Sequence, residues 1–166
     1  NTYLLEKCFG WRGILAEPAR VWHEDLLKNR NCFIEKDCVW SQSGSILSFN
    51  EVDIPEVSTI TQFNGVDEHS NSRESGTQYN VSTISLNDLL EKYNAPVDID
   101  FLSIDTEGSE FEILNAFDFS KYNIKIICCE HNHTSMREKI FSLLAPIGYI
   151  RKYEAHSMMD DWFFKL

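Results

Sequence analysis

Apolar positions along the chain alternate between short runs of strand length and stretches with helical spacing. Tyr3, Leu4, Leu5 and Cys8 share one helical face that stops at Gly10. Gly13 to Ala16 is an apolar run ending in Glu17-Pro18, and Trp22, Leu26 and Leu27 then recur at helical spacing to about Lys28. Because proline is tolerated in a first helical turn, Glu17 falls at a strand-to-helix corner. Cys32 to Ile34, Cys38 to Trp40 and Ser45 to Phe49 read as strands. Val81 to Leu86 alternates and runs into a short helix ending near Pro96. Two more strand-helix alternations follow, Ile99 to Ile104 with the helix of Phe111, Leu114 and Phe117 and Ile124 to Cys129 with Met136 to Leu144, and then a strand at Tyr149 to Tyr153. Trp162 to Phe164 closes the chain as a last strand.

Alternating strands and helices with non-alternating strand interiors predict an α/β fold, a mostly parallel sheet covered on both faces. In such sheets ligands bind beyond the carboxyl ends of the strands. That rule directs attention to Glu17, to the end of Cys38–Trp40, to Asp105 and to Glu130–His133. Between Asn64 and Gln78, Val66 is the only aliphatic residue, so this stretch is expected to be a mobile loop, a lid or a tolerated insertion.

Composition narrows the class. A chain of 166 residues with 43% hydrophobic content suits one domain, 1–166, with its own core. Fifteen Lys and Arg against 26 Asp and Glu give a net charge of −11, which repels polyanions and argues against nucleic acid as a partner. The longest largely apolar run, Ile124 to Cys129, is far short of a membrane span. Five cysteines, an odd number without Cys-x-x-Cys spacing, point to a reducing, cytoplasmic setting.

Three places carry candidate chemistry. Glu17 stands where a carboxylate of a doubly wound fold accepts hydrogen bonds from ribose hydroxyls, and it reads equally as an acid favoured by a helix dipole. Asp105 sits where its strand emerges, with Gly108 clearing space beside it, whereas Glu107, Glu110 and Glu112 read as acids enriched near a helix start. Glu130 and His131 arrive together at the next strand end, where histidine beside a carboxylate can serve as a general base. Zinc at Cys128, Cys129, His131 and His133 is disfavoured because successive strand residues point to opposite faces. Glu130 could orient the histidine or join Asp105 in holding a divalent cation, which ranks below acid/base work because no residue spacing demands a metal, and none is expected.

The segments G-W-R-G-I-L-A-E-P, I-D-F-L-S-I-D-T-E-G-S-E-F-E-I-L, C-E-H-N and D-D-W-F, with N-T-Y-L-L-E-K and V-S-T-I-S-L-N-D-L-L, resemble the FkbM family of S-adenosylmethionine-dependent methyltransferases. The likeness runs in order through nearly the whole chain. It implies a class I methyltransferase (Rossmann-like) fold whose last strand is antiparallel, with S-adenosylmethionine as cofactor and the hydroxyl of a small molecule or sugar as acceptor. By position, Glu17 would hold the ribose, Asp105 would lie near the cofactor's methionine end, Cys38 and Val39 would fall near the adenine, and Asn1 and Thr2 would be further cofactor-binding residues. Asp105, His131 and Glu130 would be the catalytic candidates. The family's first strand and glycine-containing loop normally stand directly before Asn1-Thr2, so an upstream segment is expected. A non-catalytic, protein-binding module of the same fold is the alternative.

Overall fold

A computed structural model describes residues 2–166, and among them no helix is long and apolar enough to cross a membrane. Five helices and ten strands follow the expected order, from α1 (Tyr3–Phe9), whose end is capped by Gly10 at φ 70°, through β1 (Ile14–Ala16), α2 (His23–Asn29), β2 (Phe33–Glu35) and β3 (Cys38–Trp40). β4 (Ile46–Glu51), β5 (Thr59–Ile60) and β6 (Thr77–Ser85) precede α3 (Leu86–Lys92), where the Ser85 hydroxyl accepts the Asp88 N–H as an N-cap. The second half runs β7 (Asp98–Ile104), α4 (Glu110–Ala116), β8 (Asn123–Glu130), α5 (Met136–Leu144), β9 (Tyr149–Lys152) and β10 (Asp160–Lys165).

The strands assemble into three sheets where the sequence pattern predicts one mostly parallel sheet. β1 and β2 form a parallel pair. β7 and β8 are parallel, and β10 inserts antiparallel between β8 and β9, as expected of the last strand. The third sheet, β3-β6-β4-β5, is the departure: β3 and β6 are parallel, but β4 runs antiparallel to both β6 and β5. The reason is legible in β6, where Tyr79, Val81 and Thr83 turn inward while Asn80 and Ser82 between them are exposed. Alternation of this kind suits a sheet with one wet face, which antiparallel pairing permits and a doubly covered parallel sheet does not.

The main core packs α3, α4 and α5 against β7, β8 and β10 through Leu114, Ile113, Ile124, Ile127, Leu144 and Phe163. Tyr149 is buried with them and donates its hydroxyl to the Ile124 carbonyl at 2.7 Å, which satisfies the polar end of a core aromatic. A smaller cluster of Ala19, Cys38, Phe49, Ile60 and Val81 lies under the third sheet.

The 64–78 segment cannot bury aliphatic surface, yet it is tied down by polar chemistry. It forms a short 3-10 turn at Ser70–Arg73, and β6 already begins at Thr77. The Arg73 side chain is 0% exposed and spends its donors on the Val57 and Phe63 carbonyls, both oxygens of Asp67 and Glu107 Oε2 at 2.8 Å. Its own carbonyl accepts from the Asn50 amide at 2.8 Å. Gly76 completes the closure, because a Cβ there would stand 2.1 Å from Asn50 Oδ1. Counting aliphatic residues misses a segment held by one buried cation.

Arg73→Met should lower unfolding free energy by about 3–5 kcal/mol in denaturant titration, since it leaves buried carboxylates without their cation. A loss below about 1 kcal/mol would show that the segment does not depend on that ion pair.

Candidate functional site

Register in the β7–β8–β10 sheet brings the acids together. Ile104 pairs with Cys129 and Glu130 pairs with Asp160, so Asp105, the residue after β7, meets Glu130 at the end of β8. Their carboxyls are hydrogen-bonded to each other. Glu107 joins them, and carboxyl atoms of Asp105, Glu107 and Glu130 all lie within 4.8 Å of one another, a spacing that a hard divalent cation could use.

The turn between β7 and α4 is built to aim Glu107 inward. Glu107 has φ 59° and Gly108 φ 126°, and Gly108 lies flat against the Phe63 ring, where a Cβ would come within 3.0 Å. Thr59 donates its hydroxyl to the Glu107 carbonyl at 2.9 Å. Glu110 wraps the same turn from below, accepting the N–H groups of Thr106 and Gly108 and the Thr106 hydroxyl. Glu110 thus acts as the helix-start acid expected of it. Glu107 instead turns into the interior, 6% exposed, and is held by Arg73 and by the Asn132 amide at 3.1 Å.

Crowded carboxyls in a partly dry site must take up protons. Burial, reinforced by the charges of Asp105, Glu107 and Glu110, pushes Glu130 up to about 10, so it is a carboxylic acid at neutral pH. Asp105 opens to solvent across the cleft, but the protein walls around it still raise its carboxyl above the ordinary range, against the pull of its hydrogen bond with Glu130. Of the two carboxyls, Glu130 is the one that keeps its proton. Glu107 rises to about 7, because burial and the neighbouring acids outweigh the ion pair with Arg73. One guanidinium serves Asp67 and Glu107 together, so the second carboxylate is in excess.

Glu17 lies across the cleft from this cluster. Its N–H extends the β1–β2 ladder to the Glu35 carbonyl, its carbonyl accepts from His23 Nε2, and its Oε1 accepts the Ala19 N–H at 2.8 Å. Burial raises its carboxyl, as do the charges of Asp105 and Glu51. Glu17 and Asp105 line one cavity of about 270 Å³, together with Trp22, Val39, Phe49 and Ile60. Such a cavity has an apolar slot for a flat ring, a carboxylate for paired hydroxyls and an acidic end that favours a cation.

Other expected site residues are placed differently. Val39 lines the cavity, and Cys38, its neighbour on β3, is buried in the small core with Phe49 and Ile60, its thiol pushed up to about 12 by burial and the nearby charge of Glu17. Thr2 does not line the cavity, and its hydroxyl accepts from Arg30 at 2.9 Å. Asn1 lies outside the described residues. His131 is 4% exposed, and its Nδ1 accepts the His133 N–H at 3.0 Å. Burial lowers its pKa, so the ring is neutral and carries its proton on Nε2, 3.8 Å from Asp161. With Nδ1 engaged and Nε2 protonated, the ring presents a donor instead of the lone pair a base requires.

Sequence reading passes over three residues that shape the site. Glu107 is masked by the ordinary preference of acids for helix starts, although its place before Gly108 is the available signal. Arg73 hides in a polar segment. Glu51 caps the turn after Glu17, accepting the Arg20 N–H at 2.7 Å and the Tyr79 hydroxyl at 2.7 Å, and nothing in its local pattern marks it.

Residues 3–166 match the family model of the methyltransferase FkbM domain. Neither curated proteins nor solved structures matched the chain.

The raised Glu107 carboxyl has a stability consequence. The folded state holds its proton up to about 7 and the unfolded state releases it near 4.5, so the stability this proton contributes is complete below about 4.5 and is lost as pH climbs through 7. Glu107→Gln keeps the uncharged form at every pH. Thermal or urea unfolding from pH 4.5 to 8 should show it gaining on the wild type by up to about 3 kcal/mol, whereas a constant difference would contradict the assignment.

Proposed function

Because the chain belongs to the FkbM methyltransferase domain family, we propose that it transfers a methyl group from S-adenosylmethionine to a hydroxyl oxygen of a small molecule or sugar. The observation that carries this reading is that Glu17 and Asp105, on different strands and far apart in sequence, line one cavity. We read the parallel β1–β2 and β7–β8 pairs and the antiparallel β10 as parts of a class I methyltransferase sheet.

The residues present fit the cofactor. Glu17 would accept hydrogen bonds from the ribose, Val39, Trp22 and Phe49 offer apolar contact for the adenine, and the acidic end at Asp105 suits a cationic sulfonium. When bound, S-adenosylmethionine supplies an electrophilic methyl group. The chain's own work is positioning and proton handling. Holding two reactants in contact can lower a barrier by roughly 7–11 kcal/mol, and a placed base adds about 10²–10⁴-fold. The Asp105–Glu130 pair is the base: Glu130 keeps the shared proton and Asp105 offers the carboxylate that accepts the proton leaving the acceptor hydroxyl.

Glu17→Ala should weaken S-adenosylhomocysteine binding by about 10–100-fold in calorimetry, the loss of one or two charge-assisted hydrogen bonds. Unchanged affinity removes Glu17 from the site, and no binding by the wild type supports the non-catalytic module instead. Turnover against pH should fall on the acid side through the raised Asp105 value and on the alkaline side near 10, where Glu130 gives up its proton. Glu130→Gln should erase the alkaline limb, and Asp105→Asn should cost about 10²-fold or more in kcat.

A further inference from the structure

Two cavities meet at the carboxyl cluster: the one lined by Glu17 and Asp105, and a second of about 280 Å³ beyond Glu110 and Glu130. The first takes Glu17, read above as the ribose anchor, from a turn that the third sheet holds in place. After Glu17, Pro18 and Ala19 lead into a 3-10 turn at Arg20–Trp22 that continues as α2. The opening N–H groups of such a segment have no partner within it and need an acceptor from elsewhere. Ala19 stands in the capping position and has no side-chain oxygen to offer. One oxygen of Glu51 does the work instead: Oε2 accepts the Arg20 N–H at 2.7 Å and the Val21 N–H at 3.3 Å. The Tyr79 hydroxyl donates to that same oxygen at 2.7 Å and accepts the Arg20 N–H at 3.1 Å, and the Arg20 guanidinium lies 3.9 Å from the centroid of the Tyr79 ring.

Glu51 and Tyr79 arrive on the returning antiparallel pair, where Phe49 is opposite Tyr79 and Glu51 opposite Thr77. Phe49 lines the Glu17 cavity and packs on the Tyr79 ring, so the strands that build the apolar wall also hold the turn. Glu17 competes for the same donors. Its Oε1 already accepts the Ala19 N–H at 2.8 Å, one residue before Arg20, and among the described residues only that oxygen is engaged. With Glu51 removed, two orphan N–H groups at the positive end of a helical segment would draw the Glu17 carboxylate onto its own backbone. A carboxylate turned that way no longer offers its second oxygen to a ligand.

We propose that Glu51 is a positioning residue for the donor site: by capping the Arg20–Trp22 turn, with Tyr79 as its support, it keeps the Glu17 carboxylate free to accept the paired hydroxyls of a nucleoside. The proposal rests on the methyl-transfer reading and adds the residue that prepares its donor site. Glu51 does not line the cavity, so its effect passes through Glu17. The sign of that effect separates positioning from charge. Glu51 is a neighbouring negative charge that helps to raise the Glu17 carboxyl, so by charge alone its removal would favour the ionised anchor and tighter binding. Loss of positioning acts in the opposite direction.

The test is a double-substitution cycle read by calorimetry with S-adenosylhomocysteine. Glu51→Ala should weaken binding by about tenfold, whereas the same change on a Glu17→Ala background should alter Kd by less than about twofold, because the carboxylate it prepares is gone. Glu51→Gln, which retains an oxygen for the Arg20 N–H, should bring the affinity back to within about threefold of the wild type. Should Glu51→Ala not fold, Tyr79→Phe carries the same cycle, about threefold weaker alone and silent on Glu17→Ala. The proposal is overturned by wild-type or tighter affinity in the single variant that folds, by losses that add in the double variant, or by Glu51→Gln binding no better than Glu51→Ala. Two further results are distinct from these. A wild type that does not bind S-adenosylhomocysteine removes the methyl-transfer reading, unchanged affinity in Glu17→Ala removes the ribose anchor, and either takes this proposal with it.

Discussion

The site depends on how a crowd of carboxyls is kept at one rim of the molecule. Asp105, Glu107, Glu110 and Glu130 lie close together at the ends of two adjacent strands, and a protein interior does not tolerate four like charges in that space. Three separate devices relieve the repulsion. Arg73 brings a buried positive charge to Glu107, the Thr106–Gly108 turn folds its N–H groups around Glu110, and Glu130 retains a proton that it shares with Asp105. What stands open to the cleft is the carboxyl of Asp105.

This arrangement ties architecture to chemistry. Arg73 comes from a segment with almost no aliphatic residues, yet its burial binds that segment to the turn after β7, where Asp105 to Glu107 line one cavity and Gly108 and Glu110 the other. The Phe63 ring lies on Gly108, so the same segment also fixes the backbone from which Glu107 projects. Disturbance in the segment would be felt at the carboxyl cluster as a change of ionisation before it was felt as a change of shape, because buried charges respond to lost partners more steeply than packed apolar groups respond to small shifts.

The division of the strands among three sheets matters for the same reason. The parallel β7 and β8 end side by side and deliver Asp105 and Glu130 to one place, while the antiparallel β4–β6 hairpin carries Phe49 and the 52–76 connection that caps the site from the flank. A purely parallel sheet would have had no such returning hairpin. Its presence converts an open strand-end crevice into two walled cavities meeting at the acids.

Much of this was legible in the sequence. Periodicity located the helices and nearly all the strands, and the abrupt passage from apolar runs into Glu17, Asp105 and Glu130 marked the strand ends. The likeness to the FkbM family was carried by local blocks and holds for residues 3–166. Local pattern could not reveal that Glu107 turns inward, that Arg73 in a polar segment is its cation, or that His131 has its acceptor nitrogen occupied. Each of these is a pairing between groups distant in sequence or a choice between two faces of one strand. Such pairings are decided by the free energy of burying charge and dipole together, and that quantity exists only once the chain has closed on itself.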